Sequence, residues 1–271
     1  MFGWPLTFTL SPAIHSAAFR ACGVDWIYLS FPVPPESLPE AVAGSRALGM
    51  MGANVTMPHK EAVIDLLDDL SGDARAIGAV NTIQRIGDRL IGHNTDVDGF
   101  AEFLQGDAGL DVVGREVVVL GAGGAARAVV RALDALGAHR VVVAARETSK
   151  ARRLEGLVER AEVDTIGFDA VPASGWDAIV NCTPLGMNGE DAGVGLELGP
   201  GQAVIDLVYW PPQTPLLERA RAAGAQAWGG LGMLVRQAAA SFTIWTGQDP
   251  PLETMSAVAL HALRARAMQA H

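Results

Sequence analysis

The chain contains 271 residues, 49% of them hydrophobic, and carries a formal net charge of −10 at pH 7. This length is too great for one small core and predicts two domains of ordinary size. No stretch approaches the roughly eighteen apolar residues of a membrane-spanning helix, and the acidic balance disfavours nucleic acid as the main partner. We therefore expect a soluble globular protein that binds neither a membrane nor a nucleic acid.

The start of the chain lacks the basic segment of a secretory or transit peptide, since Arg20 is its first cation. Its two cysteines, Cys22 and Cys182, are too few for a disulfide framework and indicate a reducing compartment. We therefore expect a cytoplasmic protein whose two thiols are inert core residues.

The N-terminal segment predicts the tail of a strand at residues 2–5, followed by a helix that stops at Gly23. Ser11 is the expected N-cap of this helix, with Pro12 at the first helical position. The hydroxyls of Thr9 and Ser11 would meet free helix N–H groups there. Such a place suits a bound carboxylate, and an ordinary helix cap is an equally good interpretation.

A polar cluster at residues 54–61 comes next, after a predicted strand at 26–31, a helix at 36–48 and a strand at 52–55. In this βαβ-like order the cluster emerges from a strand end, before a predicted helix at 62–70. Open α/β sheets bind ligands at such strand ends. The pattern therefore favours a binding site.

Lys60, inside this cluster, is one of only two lysines beside 18 arginines. A lysine can be tuned to exchange a proton, whereas an arginine in a protein cannot. Lys60 would lie in the first turn of the predicted helix, where the helix dipole disfavours a cation. A lysine at this position does not stabilise the helix, so a catalytic role explains its placement better. A solvated surface lysine is the alternative.

A hairpin is predicted at residues 79–91, after a short helix at 73–77, and Asn81 and Asp96 fall at its two ends. Taken alone, Asp96 is best explained as the N-cap of a helix at 97–104. A connector loop at 106–114 follows, so we place the domain boundary near that helix.

A nucleotide-binding pattern begins with the β-branched strand at 117–120, which runs directly into Gly121-Ala122-Gly123-Gly124-Ala125-Ala126. Gly121 allows a tight turn, Gly123 lets the backbone approach a pyrophosphate, and Ala126 lets the helix pack close to the strand. A helix at 128–136 and a strand at 141–143 complete a βαβ unit. The alternative is a strand-to-helix turn without a ligand.

The remaining elements are helices at 149–160, 214–223, 229–245 and 253–268, and strands at 163–166, 178–181, 203–208 and 226–228. We expect the last two helices to return to the first domain. The predicted fold class is α/β with two domains and a cleft between them. An N-terminal substrate domain with a mixed sheet covers 1–98 and 232–271, and a Rossmann-type dinucleotide-binding domain covers 99–231.

Six motifs occur in a specific order, at residues 10–12, 54–61, 78–82, 94–96, 121–125 and 230–237, and they read LSP, NVTMPHKE, GAVNT, NTD, GAGGA and GLGMLVRQ. Together they resemble the shikimate dehydrogenases, enzymes of aromatic amino acid (chorismate) biosynthesis that reduce 3-dehydroshikimate to shikimate with a nicotinamide cofactor. The resemblance spans nearly the whole chain. It implies an NADP-dependent oxidoreductase that acts as a monomer or homodimer.

The resemblance also implies site residues. Lys60 would exchange the proton with Asp96 as its partner. The substrate carboxylate would contact Thr9 and Ser11, and its hydroxyls would contact Thr56, Asn81, Asp96, Tyr209 and Gln237. The residues that would face the cofactor are Gly121, Ala122, Gly123, Gly124, Ala125, Ala145, Arg146, Lys150, Leu207, Gly230 and Met233, the last near the nicotinamide.

The cofactor segment departs from the family pattern, because Ala145-Arg146-Glu147 stands where Asn-Arg-Thr is usual. An NAD site would place an acid at this strand end, whereas Arg146 and Lys150 offer charge to a 2′-phosphate, with Glu147 opposing them. We therefore expect NADP. No metal is expected, so His59 and His93 should not be ligands. The alternatives are a quinate-oxidising relative that uses NAD and a non-catalytic dinucleotide-binding sensor.

Overall fold

The computed structural model describes residues 1–269. Residues 270–271 of the predicted 232–271 segment lie outside the described residues. The chain divides into two compact units, which we call the first unit (Met1–Gly99 with Val235–His271) and the second unit (Phe100–Leu234). The boundaries 1–98, 99–231 and 232–271, taken as those of folding domains, remain a prediction.

The first unit contains a mixed sheet. In chain order its elements are β1 (Phe2–Gly3), α1 (Ser11–Ala21), β2 (Phe31–Pro32), α2 (Leu38–Ala47), β3 (Gly52–Asn54), β4 (Asp69–Leu70), α3 (Gly72–Ile77), β5 (Thr82–Ile86), β6 (Arg89–His93) and α4 (Asp96–Glu102). Four strands follow the order β3-β5-β6-β4, and β4 runs parallel to β6 while β5 is antiparallel to β3 and β6. The parallel pair β1–β2 joins β3 through a bridge between Phe2 and Val55.

The second unit contains a six-stranded parallel sheet. Its elements are a π-helical turn (Phe103–Ala108), β7 (Glu116–Leu120), α5 (Gly124–Ala135), β8 (Arg140–Ala144), α6 (Thr148–Ala151), β9 (Glu162–Ile166), β10 (Ala178–Asn181), β11 (Ala203–Asp206), α7 (Pro215–Ala222) and β12 (Gln226–Gly229). The order β12-β11-β10-β7-β8-β9 is that of the doubly wound dinucleotide-binding fold. The predicted α/β class, with one mixed and one Rossmann-type sheet, is confirmed.

Two helices complete the chain, α8 (Leu231–Thr246) and α9 (Leu252–Gln269). The chain passes between the units within α4 and again within α8, and α9 packs against α1. None of the helices in residues 1–269 has the length and apolar character that a membrane crossing requires. Cys22 and Cys182 each keep part of their surface exposed. Burial of the Cys182 thiol raises its pKa and favours the unreactive protonated form.

The buried strands of the second unit explain its sheet. The β-branched run of β7 is at most 2% exposed from Val117 to Leu120, and neighbouring β8 is similarly buried. A strand covered on both faces by helices requires such a continuous apolar run. The continuous apolar runs therefore identified these strands correctly.

Two predicted elements of the first unit are wrong. The strand expected at 26–31 is reduced to β2, because its neighbour β1 offers only two residues for pairing. The helix expected at 62–70 is a 3₁₀ turn at Ile64–Leu66 followed by β4. Pairing of β4 with β6 supplies hydrogen bonds that outweigh the local helical pattern.

Two predicted elements of the second unit also differ. The helix expected at 149–160 is only α6 followed by a 3₁₀ segment at Arg152–Leu157. The carboxylate of Asp134 accepts the backbone N–H groups of Glu159, Arg160 and Ala161, so these groups are held outside a helix. The connector loop expected at 106–114 begins later, since the π-helical turn reaches Ala108.

His15 is a fully buried residue of α1 whose ring is surrounded by aromatic side chains. It stacks on Tyr28 with ring centroids 4.5 Å apart and contacts Phe19 and Trp245. Neither ring nitrogen has a hydrogen-bond partner within the described residues. Burial lowers the pKa of His15 to about 3, so the ring is neutral in the folded protein at neutral pH.

His15 should therefore make the protein less stable in mild acid. Between pH 6.5 and 3 the unfolded chain binds a proton here that the folded chain does not, so stability falls as the pH falls. The expected loss from pH 7 to pH 5 is about 2 kcal/mol. Urea unfolding at both pH values should show a loss about 2 kcal/mol larger in wild type than in His15→Phe, which keeps the other titrating groups; an equal loss in both would contradict the assignment.

Candidate active site

Lys60 and Asp96 form a partly buried ion pair. The Nζ–Oδ2 distance is 2.6 Å, and the side chains are 18% and 7% exposed. Lys60 is therefore not a solvated surface lysine. Its backbone carbonyl accepts the N–H of Val80 at 2.8 Å, which ties the turn after β3 to the start of the hairpin. The segment after Lys60 forms turns and a 3₁₀ segment at Ile64–Leu66 in place of the predicted helix, so the helix-dipole argument for its reactivity was wrong. The pairing with Asp96 replaces that argument.

Asp96 is the first residue of α4, and its carboxylate faces Lys60 and Asn81. The side chain of Asn94 accepts the Asp96 N–H at 3.0 Å and donates to the carbonyl of Ala79 at 2.9 Å. Asn94 therefore supports the start of this helix. Both carboxylate oxygens of Asp96 are engaged with site residues, so the interpretation of Asp96 as an N-cap is wrong.

Asn81 lies beside this ion pair. Its Nδ2 donates to Asp96 Oδ1 and to Thr95 Oγ1, both at 2.9 Å. Gln237 Oε1, on α8, lies 3.5 Å from the same nitrogen. The structure thus brings together four of the predicted residues, Lys60, Asn81, Asp96 and Gln237, from four separate stretches of the chain.

The two hydroxyls at the start of α1 lie next to each other. Thr9 Oγ1 is 3.2 Å from Ser11 Oγ and accepts the backbone N–H of Ser11 at the same distance. Leu10 occupies the N-cap position and Ser11 is the first helical residue, so the prediction of Ser11 as N-cap was wrong. The arrangement presents two hydroxyls near a helix N-terminus, which suits a carboxylate.

Thr56 and the two histidines lie in the same unit. Thr56 is half-buried, and its N–H donates to the carbonyl of Phe2 at 2.9 Å. A ring nitrogen of His59 lies 2.7 Å from the carbonyl of Val33, and one of His93 lies 3.2 Å from Gln84 Oε1. Within residues 1–269 no three His, Cys, Asp or Glu side chains are grouped as metal ligands.

The glycine turn of the second unit is shaped for a pyrophosphate. Gly121 has φ of +107°, which disfavours any residue with a side chain. A Cβ at Gly123 would meet no atom within 4 Å, so space is open above the turn. Gly123 provides no side-chain cap for α5, which leaves the N-terminal N–H groups of this 12-residue helix for an anion. Ala122, Gly124 and Ala125 form the rest of the turn, and these residues fit a dinucleotide.

The segment after β8 carries the charged residues that the sequence analysis assigned to cofactor choice. Ala145 is buried, whereas Arg146, Glu147 and Lys150 are exposed. Glu147 pairs with Lys150 at 3.0 Å, on side chains more than 60% exposed. Such an exposed ion pair contributes little to stability, so a phosphate can replace Glu147 as the partner of Lys150 at little cost. Because Glu147 is directed to Lys150, it does not neutralise Arg146.

The other predicted residues of the second unit lie after β11 and β12. Leu207 and Tyr209 follow β11, while Gly230 and Met233 belong to the stretch after β12. A Cβ at Gly230 would collide with the Leu207 carbonyl oxygen, so only glycine permits this close approach. Tyr209 is half-buried and Met233 is buried.

Known proteins resemble this chain over almost its full length. The shikimate dehydrogenase (NADP(+)) of Geobacter metallireducens is 43% identical over 97% of this chain and 96% of its own length. The chain belongs to the shikimate dehydrogenase family. Three family models match it: the shikimate dehydrogenase substrate binding domain at residues 1–83, shikimate/quinate 5-dehydrogenase at 105–184, and the shikimate 5'-dehydrogenase C-terminal domain at 230–260.

Solved structures of shikimate dehydrogenases agree with this assignment. The Thermus thermophilus enzyme, in complex with NADP(H) and shikimate, matches with a TM-score of 0.85 and 35% identity, covering 96% of this chain and 97% of that one. Quinate dehydrogenase from Corynebacterium glutamicum, in complex with NAD, matches with a TM-score of 0.85 and 33% identity at the same coverage. Both proteins share this fold.

Sequence reasoning assigned no role to several polar residues that the structure buries and pairs. In the second unit, Asp206 is fully buried and accepts hydrogen bonds from Asn181, Thr214 and the N–H of Val208. In the first unit, the missed residues are Tyr28, Asn54, Thr82 and Ser241. Each of these residues lies inside an apolar run or a recognised motif. The one available signal in the sequence was a polar residue at a position expected to be in the core.

Proposed function

We propose that this protein catalyses the reversible, NADP-dependent reduction of 3-dehydroshikimate to shikimate in aromatic amino acid biosynthesis. The observation that carries the proposal is the 2.6 Å ion pair between Lys60 and Asp96. A lysine that is paired, partly buried and next to polar groups is suited to proton exchange. Membership of the family supplies the reaction for which that proton is needed.

Lys60 acts as the general acid in reduction and as the general base in oxidation. Its Nζ gives a proton to the oxygen of the reacting carbonyl and takes it back in the reverse direction. Asp96 holds this nitrogen through Oδ2, which fixes the distance over which the proton moves. The bound cofactor would supply the hydride to the ring carbon as NADPH in reduction, and would accept it back as NADP+ in oxidation.

The substrate is held by side chains whose hydrogen-bond donors and acceptors match its carboxylate and hydroxyl groups. Thr9 and Ser11 donate hydroxyl protons to its carboxylate, and charge-assisted hydrogen bonds of this kind are strong. Thr56, Asn81, Asp96, Tyr209 and Gln237 contact its hydroxyls. The side chains of Asn81 and Gln237 offer both donors and acceptors, which matches hydroxyl groups.

The cofactor is held by the second unit. Gly121, Ala122, Gly123, Gly124 and Ala125 receive the pyrophosphate at the start of α5. Ala145, Arg146 and Lys150 face the adenosine ribose, where the guanidinium binds the 2′-phosphate. Leu207 and Gly230 would face the cofactor, with Met233 near the nicotinamide.

A direct assay tests the function. Initial rates are measured with shikimate and with quinate, each with NADP and with NAD. Shikimate with NADP should give the highest kcat/KM. A higher value for quinate with NAD would assign the chain to the other branch of its family, and no turnover with any pair would indicate a sensor.

We also propose a cytoplasmic monomer or homodimer, which cell fractionation and light scattering would test.

The catalytic pair generates the first prediction here. Lys60→Ala should lower kcat by at least about 100-fold and change KM less, because the lost interaction acts in proton transfer. Lys60→Arg keeps the positive charge but cannot release a proton, so it should be nearly as inactive. Asp96→Asn should also lower kcat strongly. Turnover close to wild type in Lys60→Arg would show that only the charge matters.

The hydroxyl pair generates the second prediction. Ser11→Ala should raise KM for shikimate about tenfold or more, since a hydrogen bond to a charged group contributes roughly 1.5–3 kcal/mol. Thr9→Ser, which keeps the hydroxyl, is the control and should retain the wild-type KM. An analogue without the carboxylate should bind wild type and Ser11→Ala equally. An unchanged KM in Ser11→Ala would leave this residue with a structural role only.

Arg146 generates the third prediction. Arg146→Ala should lower the ratio of kcat/KM for NADP to that for NAD by about tenfold or more, because a charge-assisted contact to the 2′-phosphate is lost. Arg160→Ala removes another exposed arginine of the second unit and should leave the ratio unchanged. A preference for NAD in the wild type, or equal ratios in wild type and Arg146→Ala, would contradict this role.

A further inference from the structure

A buried chain of hydrogen bonds leads to Asn81 through three residues that have no role in the mechanism above. Tyr28 Oη donates to Asn54 Oδ1 at 2.6 Å, Asn54 Nδ2 donates to Thr82 Oγ1 at 3.1 Å, and Thr82 Oγ1 donates to Asn81 Oδ1 at 2.9 Å. All four residues are buried. The chain continues from Asn81 Nδ2 to Asp96 Oδ1 at 2.9 Å.

Backbone groups fix the direction of this chain. Asn54 Nδ2 lies 3.2 Å from the carbonyl oxygen of Asn81, which can only accept, so Asn54 Oδ1 must face Tyr28. The N–H of Thr95 lies 2.8 Å from Asn81 Oδ1 and can only donate. The amide of Asn81 therefore cannot flip without losing several bonds, and its Nδ2 remains directed at Asp96.

The far end of the chain is anchored next to the proposed carboxylate contacts. Tyr28 stacks on His15, which lies one helical turn after Ser11 on α1. Burial raises the pKa of the Tyr28 phenol, so the group keeps its proton and remains a donor. Because the Thr82 proton goes to Asn81, Ser241 Oγ is the donor to Thr82 Oγ1 at 2.8 Å. Ser241 also lies 3.0 Å from the carbonyl oxygen of Gln237, so α8 is attached to the same chain of hydrogen bonds.

We propose that Tyr28, Asn54 and Thr82 are positioning residues that hold the Asn81 amide with its N–H groups toward Asp96. Asp96 Oδ1 is then occupied by Asn81, and Oδ2 is presented to Lys60. The inference rests on the proposed function, since it concerns the residues assigned to proton exchange. It adds a group of residues that contact neither substrate nor cofactor and set the geometry of the Lys60–Asp96 pair.

Thr82 offers a matched pair of variants. Thr82→Val keeps the shape and removes the hydroxyl, whereas Thr82→Ser keeps the hydroxyl and removes a methyl group. If the hydroxyl orients Asn81, Thr82→Val should lower kcat for shikimate about tenfold with KM changed less than about threefold, and Thr82→Ser should keep at least about half of the wild-type kcat. Equal kcat in wild type and Thr82→Val, or a larger loss in Thr82→Ser, would overturn the proposal.

A double-mutant cycle shows whether Thr82 acts through Asp96. In the Asp96→Asn background, Thr82→Val should cause little further loss of kcat, because the residue that it positions is already altered. The same tenfold loss in both backgrounds would overturn the proposal. Tyr28→Phe removes the first donor of the chain and should also lower kcat rather than raise KM, which keeps the proposal testable if Thr82→Val does not fold.

Controls separate positioning from general damage. Ser45→Ala removes a buried hydroxyl that donates to the carbonyl of Val42, away from the chain, and should leave kcat unchanged. The kcat of each variant is compared with its urea unfolding midpoint, and a loss of kcat that follows stability across Ser45→Ala, Thr82→Ser and Thr82→Val would overturn the proposal. Failure of wild type to oxidise shikimate would reject the proposed function itself, whereas active wild type with equally active Thr82→Val would reject only the positioning role.

Discussion

The side-chain amide of Asn81 is the group on which the first unit's site depends. An amide has one donating and one accepting end, so its orientation decides what its neighbours receive. Here the N–H of Thr95 and the hydroxyl of Thr82 occupy the accepting end, which leaves the donating end for Asp96. Because buried polar groups are costly when unpaired, this arrangement is stable only when every member is bonded.

The site of the second unit depends on the strand order of its parallel sheet, in which the direction of strand addition changes at β7. The chain moves from β7 to β8 and β9 on one side and returns to β10, β11 and β12 on the other. The carboxyl end of β7 is therefore left open, and the turn at Gly121 and Gly123 lies there. The same turn starts α5, so the anion-binding N–H groups and the open space arise from one local structure.

The two kinds of site respond differently to changes in sequence. The nucleotide turn depends on missing side chains and exposed backbone. Residues beside it, such as Ala145 and Glu147, can therefore depart from the family pattern without disturbing the turn. The Lys60–Asp96 pair depends on side chains contributed by distant segments. The composition pointed to Lys60 and the family resemblance implied Asp96 as its partner, whereas only the folded structure shows that Lys60 is held by Asp96 in place of a helix dipole.

The sequence by itself determined the features whose causes are local. Hydrophobic runs defined β7 and β8, the glycine spacing defined the phosphate turn, and the scarcity of lysine made Lys60 conspicuous. Tertiary structure decided whatever depends on partners far along the chain. Asp69–Leu70 is a strand because β6 pairs with it, residues 159–161 leave the helix because Asp134 accepts their N–H groups, and the polar chain behind Asn81 joins residues up to 187 positions apart. A local pattern contains no information about such partners, because their hydrogen bonds form only when the chain has folded.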